Sequence, residues 1–102
     1  KHTRTLQLNL QLLSGINMSN DLIQTNSAKL TAAFASALVV ADTQIHDDLA
    51  YNSIKEWDST AHMLLIAELE NVFDVMLDTD DIIDMSSVAK AKAILGKYGV
   101  AF

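Results

Sequence analysis

The segment Glu56-Trp57-Asp58-Ser59-Thr60-Ala61-His62-Met63 holds the side chains best placed for chemistry. An acid and a hydroxyl stand together at the junction of a long polar stretch and a strongly amphipathic run. Asp58 is a good N-cap type, which puts Ser59 in the first turn of a helix. Backbone N–H groups lack partners there, and the helix dipole presents its positive end. A phosphate ester on the Ser59 Oγ would sit where anions are favoured. His62, three residues on, suggests a second chemistry, a serine activated by an imidazole on the same helix face. That reading lacks a nucleophile elbow and any oxyanion hole, and His62 is expected to face solvent or the preceding loop. His2 and His46 have no partners at metal-ligand spacing. Asp78, Asp80, Asp81 and Asp84 suggest a calcium loop, but the stretch lacks the Gly and the terminal Glu of an EF-hand. It reads instead as a solvated acidic turn.

The elements that position this segment follow from periodicity. Ser27 is a good N-cap type and opens a helix with Leu30, Phe34 and Leu38 at i, i+4 and i+8, ending near Val40 or Ala41. Residues 42–57 form a long connection, punctuated by Ile45, Leu49, Tyr51, Ile54 and Trp57. Connections of that length are uncommon and often functional. From Asp58 to about Phe73, Ala61, Leu65, Ile66, Leu69, Val72 and Phe73 fall within an arc of roughly 140°. That arc is the core face. Ser59 lies off it, with Met63, Glu70 and Asp74 within roughly 60° and Ala67 nearby. Leu64 is also off the core arc. One short turn is expected near Asp80 to Asp84, with Ile82 and Ile83 inward. Ser86 or Ser87 then caps a last helix with Val88, Ala91, Ile94, Leu95 and Tyr98 as its stripe, and Gly96 and Gly99 mark its end. Residues 6–12, LQLNLQL, alternate with strand periodicity and do not match the remainder. Residues 1–17 are an N-terminal extension, or an edge strand or tail docked on a domain spanning 18–102; Met18 reads as a plausible native start.

Composition narrows the function classes. The chain has 102 residues, enough for one domain, and half are apolar. There is no Pro and there are only three Gly, which favours helix. The absence of Cys excludes disulfides, thiolate metal sites and a cysteine nucleophile. No apolar run reaches the roughly 18 residues that span a bilayer, and no secretory signal is visible. The net charge is −6, and nine acids stand between Glu56 and Ala89 without a Lys or Arg. Nucleic acid would be repelled, whereas basic patches on protein partners would be attracted.

Taken together, these residues resemble the acyl carrier protein family. That family's signature is Asp-Ser-Leu at the start of its second helix, followed by an amphipathic acidic helix ending in Phe-Asp. Here the corresponding residues are Asp58-Ser59-Thr60 and Phe73-Asp74, and the spacing from Ser59 to Phe73 matches without a gap. The resemblance covers roughly residues 27–98. Thr60 stands where the family has a Leu that helps transferases recognise the site. The resemblance implies an all-α, four-helix bundle with a long loop between helices 1 and 2 and a short third helix. It implies that Ser59 accepts 4′-phosphopantetheine from coenzyme A by the action of a Mg²⁺-dependent phosphopantetheinyl transferase. It further implies a monomeric cytoplasmic carrier, not an enzyme, that holds acyl groups as thioesters. Asp58, Thr60, Met63, Glu70 and Asp74 would form the face read by the transferase and by acyl-loading and acyl-using enzymes with basic docking patches. Neither a membrane nor a nucleic acid is an expected partner. Two readings from other classes stand beside it: an acidic helical adaptor for a basic partner, without the arm, and a weak divalent-cation sensor.

Overall fold

The computed structural model describes residues 18–102. Among them the chain forms an all-α bundle of four helices: α1 (Met18–Leu38), α2 (Ser59–Phe73), the short α3 (Thr79–Asp84) and α4 (Val88–Lys97). A 3-10 turn (Asp42–Gln44) interrupts the long loop between α1 and α2. Residues 1–17, with their alternating segment, lie outside the described residues.

One core holds the bundle together. Leu30, Phe34 and Leu38 of α1 meet Leu65, Ile66 and Leu69 of α2, and Val88, Ile94 and Leu95 of α4 close the far side. The α2 arc inferred from periodicity is buried from Ala61 to Leu69, while Val72 and Phe73 are half-buried against the same core. Trp57 is fully buried, edge-on to Phe34 with ring centroids 5.4 Å apart. Burying so large a ring anchors the end of the long loop, because apolar area removed from water is the main favourable term in folding.

The loop is also stitched to α4. Ala50 and Ser87 form an isolated antiparallel bridge, the Tyr51 N–H donates to the Ser86 carbonyl (2.9 Å) and the Val88 N–H to the Leu49 carbonyl (3.0 Å). These bonds satisfy backbone groups that a long connection would otherwise leave to water.

Three local expectations need correction. The first helix starts at Met18, not Ser27. Ser27 lies inside α1, and the neighbouring Asn26 is buried, its Nδ2 donating to the Ala101 carbonyl (3.0 Å). A distant partner thus absorbs the polar group that looked like a local helix stop. Ile83 points outward and is 76% exposed; Asp81 takes the inner side instead. Three successive residues cannot all face inward on a helix that turns about 100° per residue. Gly96 lies within α4, which ends at Lys97 with Tyr98 as its C-cap, and Gly99 follows with a φ of +92° that suits a residue without Cβ.

Candidate functional site

The N-terminus of α2 is built by Asp58. Its backbone is extended, and its Oδ1 accepts from the Ala61 N–H at 2.9 Å. The Asp58 carbonyl accepts from the His62 N–H at 2.8 Å, starting the helical ladder. Ser59 is therefore the first helical residue, and it is exposed, as are Asp58 and Thr60. One turn on, Met63 and Leu64 are 59% and 58% exposed.

Beside Ser59 lies an apolar cleft of about 350 Å³. Tyr51 of the loop, Met63 of α2, Ile82 and Ile83 of α3 and the buried Met85 supply its walls. Ser59, His62 and Ser86 complete the lining. The helical spacing places Met63 beside Ser59 but gives no sign of Ile82, Ile83 or Met85, which lie in and just after α3, more than twenty residues beyond Ser59.

His62 has a larger part in the site than its place in the sequence suggests. Its Nδ1 accepts from the Trp57 indole Nε1–H at 3.0 Å, and its Nε2 lies 2.9 Å from the Ile82 carbonyl oxygen. An indole N–H only donates and a carbonyl only accepts. The imidazole proton therefore sits on Nε2 and is donated to Ile82. The ring stacks near-parallel to Trp57 (20°, centroids 6.1 Å) and meets Tyr51 edge-on at 5.5 Å. Half-buried and bonded at both nitrogens, His62 ties the loop, α2 and α3 together. Neither nitrogen is left as a general base for Ser59.

The structure separates the remaining acids. Glu70 and Asp74 lie toward the C-terminal end of α2; at 1.5 Å per residue, Glu70 is about 16 Å along the axis from Ser59. Glu70 is half-buried, and its Oε2 accepts from the Leu77 N–H at 2.9 Å, bracing the α2–α3 connection. Asp74 is exposed in the left-handed region at φ 53°, the C-cap of α2. The patch beside Ser59 thus comprises Asp58, Thr60 and Met63, with Glu70 and Asp74 at the other end of the same helix.

The acidic turn expected to be solvated is partly tied down. Asp81, 8% exposed, accepts from Lys97 Nζ (2.6 Å) and the Tyr98 hydroxyl (2.7 Å). These hydrogen bonds, that from Lys97 first, hold its carboxyl below the usual carboxylate range. The same contact raises the Lys97 ammonium above its ordinary value. Asp84 pairs with Lys90 at 3.4 Å. Among the described residues no group of three or more His, Asp or Glu is arranged to hold a metal ion. No helix among them is long and apolar enough to cross a membrane.

Comparison with models of protein families, with curated proteins and with solved structures finds no match. Fold and site define a small four-helix module with the features needed to engage a protein partner or a prosthetic group.

Proposed function

We propose that the chain is an acyl carrier whose Ser59 bears 4′-phosphopantetheine. The observation that carries this reading is the position of Ser59. It is an exposed hydroxyl on the first turn of a side-chain-capped helix, and it opens onto an apolar cleft. The residues fit such an arm. Ser59 Oγ would form the ester, and the first-turn N–H groups, held in line by Asp58, favour a phosphate. When bound, the arm supplies the thiol that this Cys-free chain lacks, and an acyl group travels on it as a thioester.

The chain's own part is to present the hydroxyl, fix the helix end and offer recognition surfaces. Asp58, Thr60 and Met63 surround the attachment point and meet the phosphopantetheinyl transferase. Acyl-loading and acyl-using enzymes with basic docking patches would read the acidic length of α2. The carrier works as a monomer in the cytoplasm and catalyses nothing itself.

A second reading is favoured by a different observation. A groove of about 290 Å³ between α1 and α2 is lined by Val39, Leu64 and Ala67 with Glu68 at its side, and Val39 is 83% exposed. Such a surface suits an adaptor that binds a basic, partly apolar partner with no arm.

Intact mass before and after incubation with coenzyme A, Mg²⁺ and a broad-specificity transferase separates the two. The carrier gains one phosphopantetheine, and Ser59→Ala gains none. No gain by either the native chain or Thr60→Leu, both folded and not already loaded, overturns the carrier reading and leaves the adaptor.

A further inference from the structure

We propose that His62 is an acid-released latch. As a neutral imidazole it binds the end of the long loop to α2 and α3, and on taking up a proton it lets go of the loop while keeping hold of α3. The latch needs no prosthetic group and stands apart from the carrier reading.

The two ring nitrogens have different duties. Nδ1 accepts from the Trp57 Nε1–H at 3.0 Å, and Nε2–H donates to the Ile82 carbonyl at 2.9 Å. Only the neutral ring with its proton on Nε2 makes both bonds. An imidazolium carries an N–H at each nitrogen. Its Nδ1–H then meets the indole N–H, two donors with no acceptor between them. The bond to Ile82 survives, and a charged donor strengthens it. Acid therefore acts on one side of the ring.

The charged groups around the ring do not offset that loss. On the loop, Tyr51 meets it edge-on, and the half-buried Glu56 precedes Trp57. On α2, Asp58 directs its Oδ1 to the Ala61 N–H. On α3, Asp81 is turned to Lys97 and Tyr98, Asp84 pairs with Lys90, and Asp80 is exposed. Ser86, leading into α4, is uncharged. Among the described residues no Asp or Glu forms an ion pair with His62. The Trp57 ring, 6.1 Å away between centroids, stands at the limit of about 6 Å for a cation–π attraction.

The released group is a demanding one. Trp57 is fully buried, and an indole N–H can only donate. Once Nδ1 is protonated, that donor has no acceptor, which is costly away from water. The ring must turn toward another partner or leave its seat beside Phe34. Because Trp57 stands two residues before Ser59, the mounting of the serine becomes dependent on pH.

The test uses the full, unmodified chain. Nitrogen NMR of the His62 ring and the indole N–H signal of Trp57, the only Trp, are followed from about pH 8 to about pH 5, where an imidazole ordinarily charges. As the His62 nitrogens become those of an imidazolium, the indole proton is expected to lose protection from exchange by roughly tenfold or more. Protection is measured against free tryptophan at the same pH. The Ile82 carbonyl signal should keep its hydrogen-bonded position. His62→Asn offers an amide oxygen that takes up no proton in this range, so its indole protection should not vary with pH. An indole that stays bonded and protected after His62 is charged overturns the proposal. A His62 ring still neutral at the acid end, or loss of the Ile82 bond together with the indole bond, also overturns it. So does release of the loop in His62→Asn at the same pH as in the native chain. The ring nitrogens report His62 directly, so the native chain decides the matter even where the variant fails to fold. None of these outcomes bears on loading at Ser59, which the mass measurement tests by itself.

Discussion

Trp57 donates its indole N–H to His62 Nδ1 across 3.0 Å, joining the last buried residue of the long loop to the first turn of α2. The bond spans only five residues, yet it fixes which nitrogen of the imidazole carries the proton and so which one reaches α3. Removing the donor should leave Nδ1 half-buried and unpaired. Trp57→Phe is expected to destabilise the fold by about 2–4 kcal/mol, combining lost packing with the orphaned acceptor. Denaturant unfolding measures this. A change under 0.5 kcal/mol, measured at unchanged slope, would show that the bond and the packing around it contribute little.

Asp81 makes stability depend on acid. Its carboxyl is held below the ordinary value of 3.8, so the stabilisation is fully present above that pH and fades as pH falls through the lower, folded-state value. Lys97 has the opposite sign. Its ammonium is raised above 10.5, so that contribution is complete below 10.5 and is lost as pH climbs through the folded-state value. The tie between α3 and α4 is thus at full strength between these two ordinary values. Asp81→Asn should lower the melting temperature at pH 7 and flatten its fall in acid. An unchanged acid limb in the variant would mean that another carboxylate governs it.

Capping and recognition at Asp58 can be separated. Asp58→Ala removes the acceptor of the Ala61 N–H and should cost about 1 kcal/mol, within the range of about 0.5–2 for caps. Asp58→Asn keeps an oxygen in place and should stay within about 0.5 kcal/mol of the native chain, since Asn caps almost as well. If the charge matters to the transferase, Asn slows loading at Ser59 while preserving stability. Equal loading of the native and Asn chains would confine Asp58 to capping.

Glu70 calls for the same care. Its carboxylate holds the Leu77 N–H, so Glu70→Lys changes both the surface charge and the α2–α3 connection. Glu70→Gln retains an acceptor and removes only the charge. We expect Gln to lose less than about 1 kcal/mol and Lys to lose about 1–3 kcal/mol. If Gln slows acyl transfer by partner enzymes, the charge is read directly. If only Lys does, the effect runs through the loop.

The sequence made α2 readable because its signals were local and mutually consistent. Asp58 looks like a cap and is one, and the apolar spacing from Ala61 to Leu69 is the buried face. Ser87 at the head of α4 behaved the same way, accepting from the Lys90 N–H. The start of α1 is masked in the sequence because Asn26 and Ser27 resemble a helix boundary, while the group that satisfies Asn26 lies at Ala101. No periodicity encodes that pairing. Asp81 and Ile83 exchanged their expected places because Lys97 and Tyr98, from the end of α4, draw the carboxylate inward. His62 was hidden for a similar reason, since the carbonyl that defines its role belongs to Ile82, twenty residues on. Long-range polar partners are the part of a fold that a linear pattern leaves blank.

The contact between Phe73 and Phe102, edge-to-face at 5.8 Å, gives the molecule a practical polarity. It holds Phe102 at the C-terminal end of α2, about 21 Å along that axis from Ser59. A bead, a chip or a neighbouring domain joined through Phe102 would leave the serine at the opposite end of α2 from its support. The same arrangement would carry a fluorescent label at Phe102 without crowding the α2 N-terminus, provided the linker spares the aromatic ring from being pulled off Phe73.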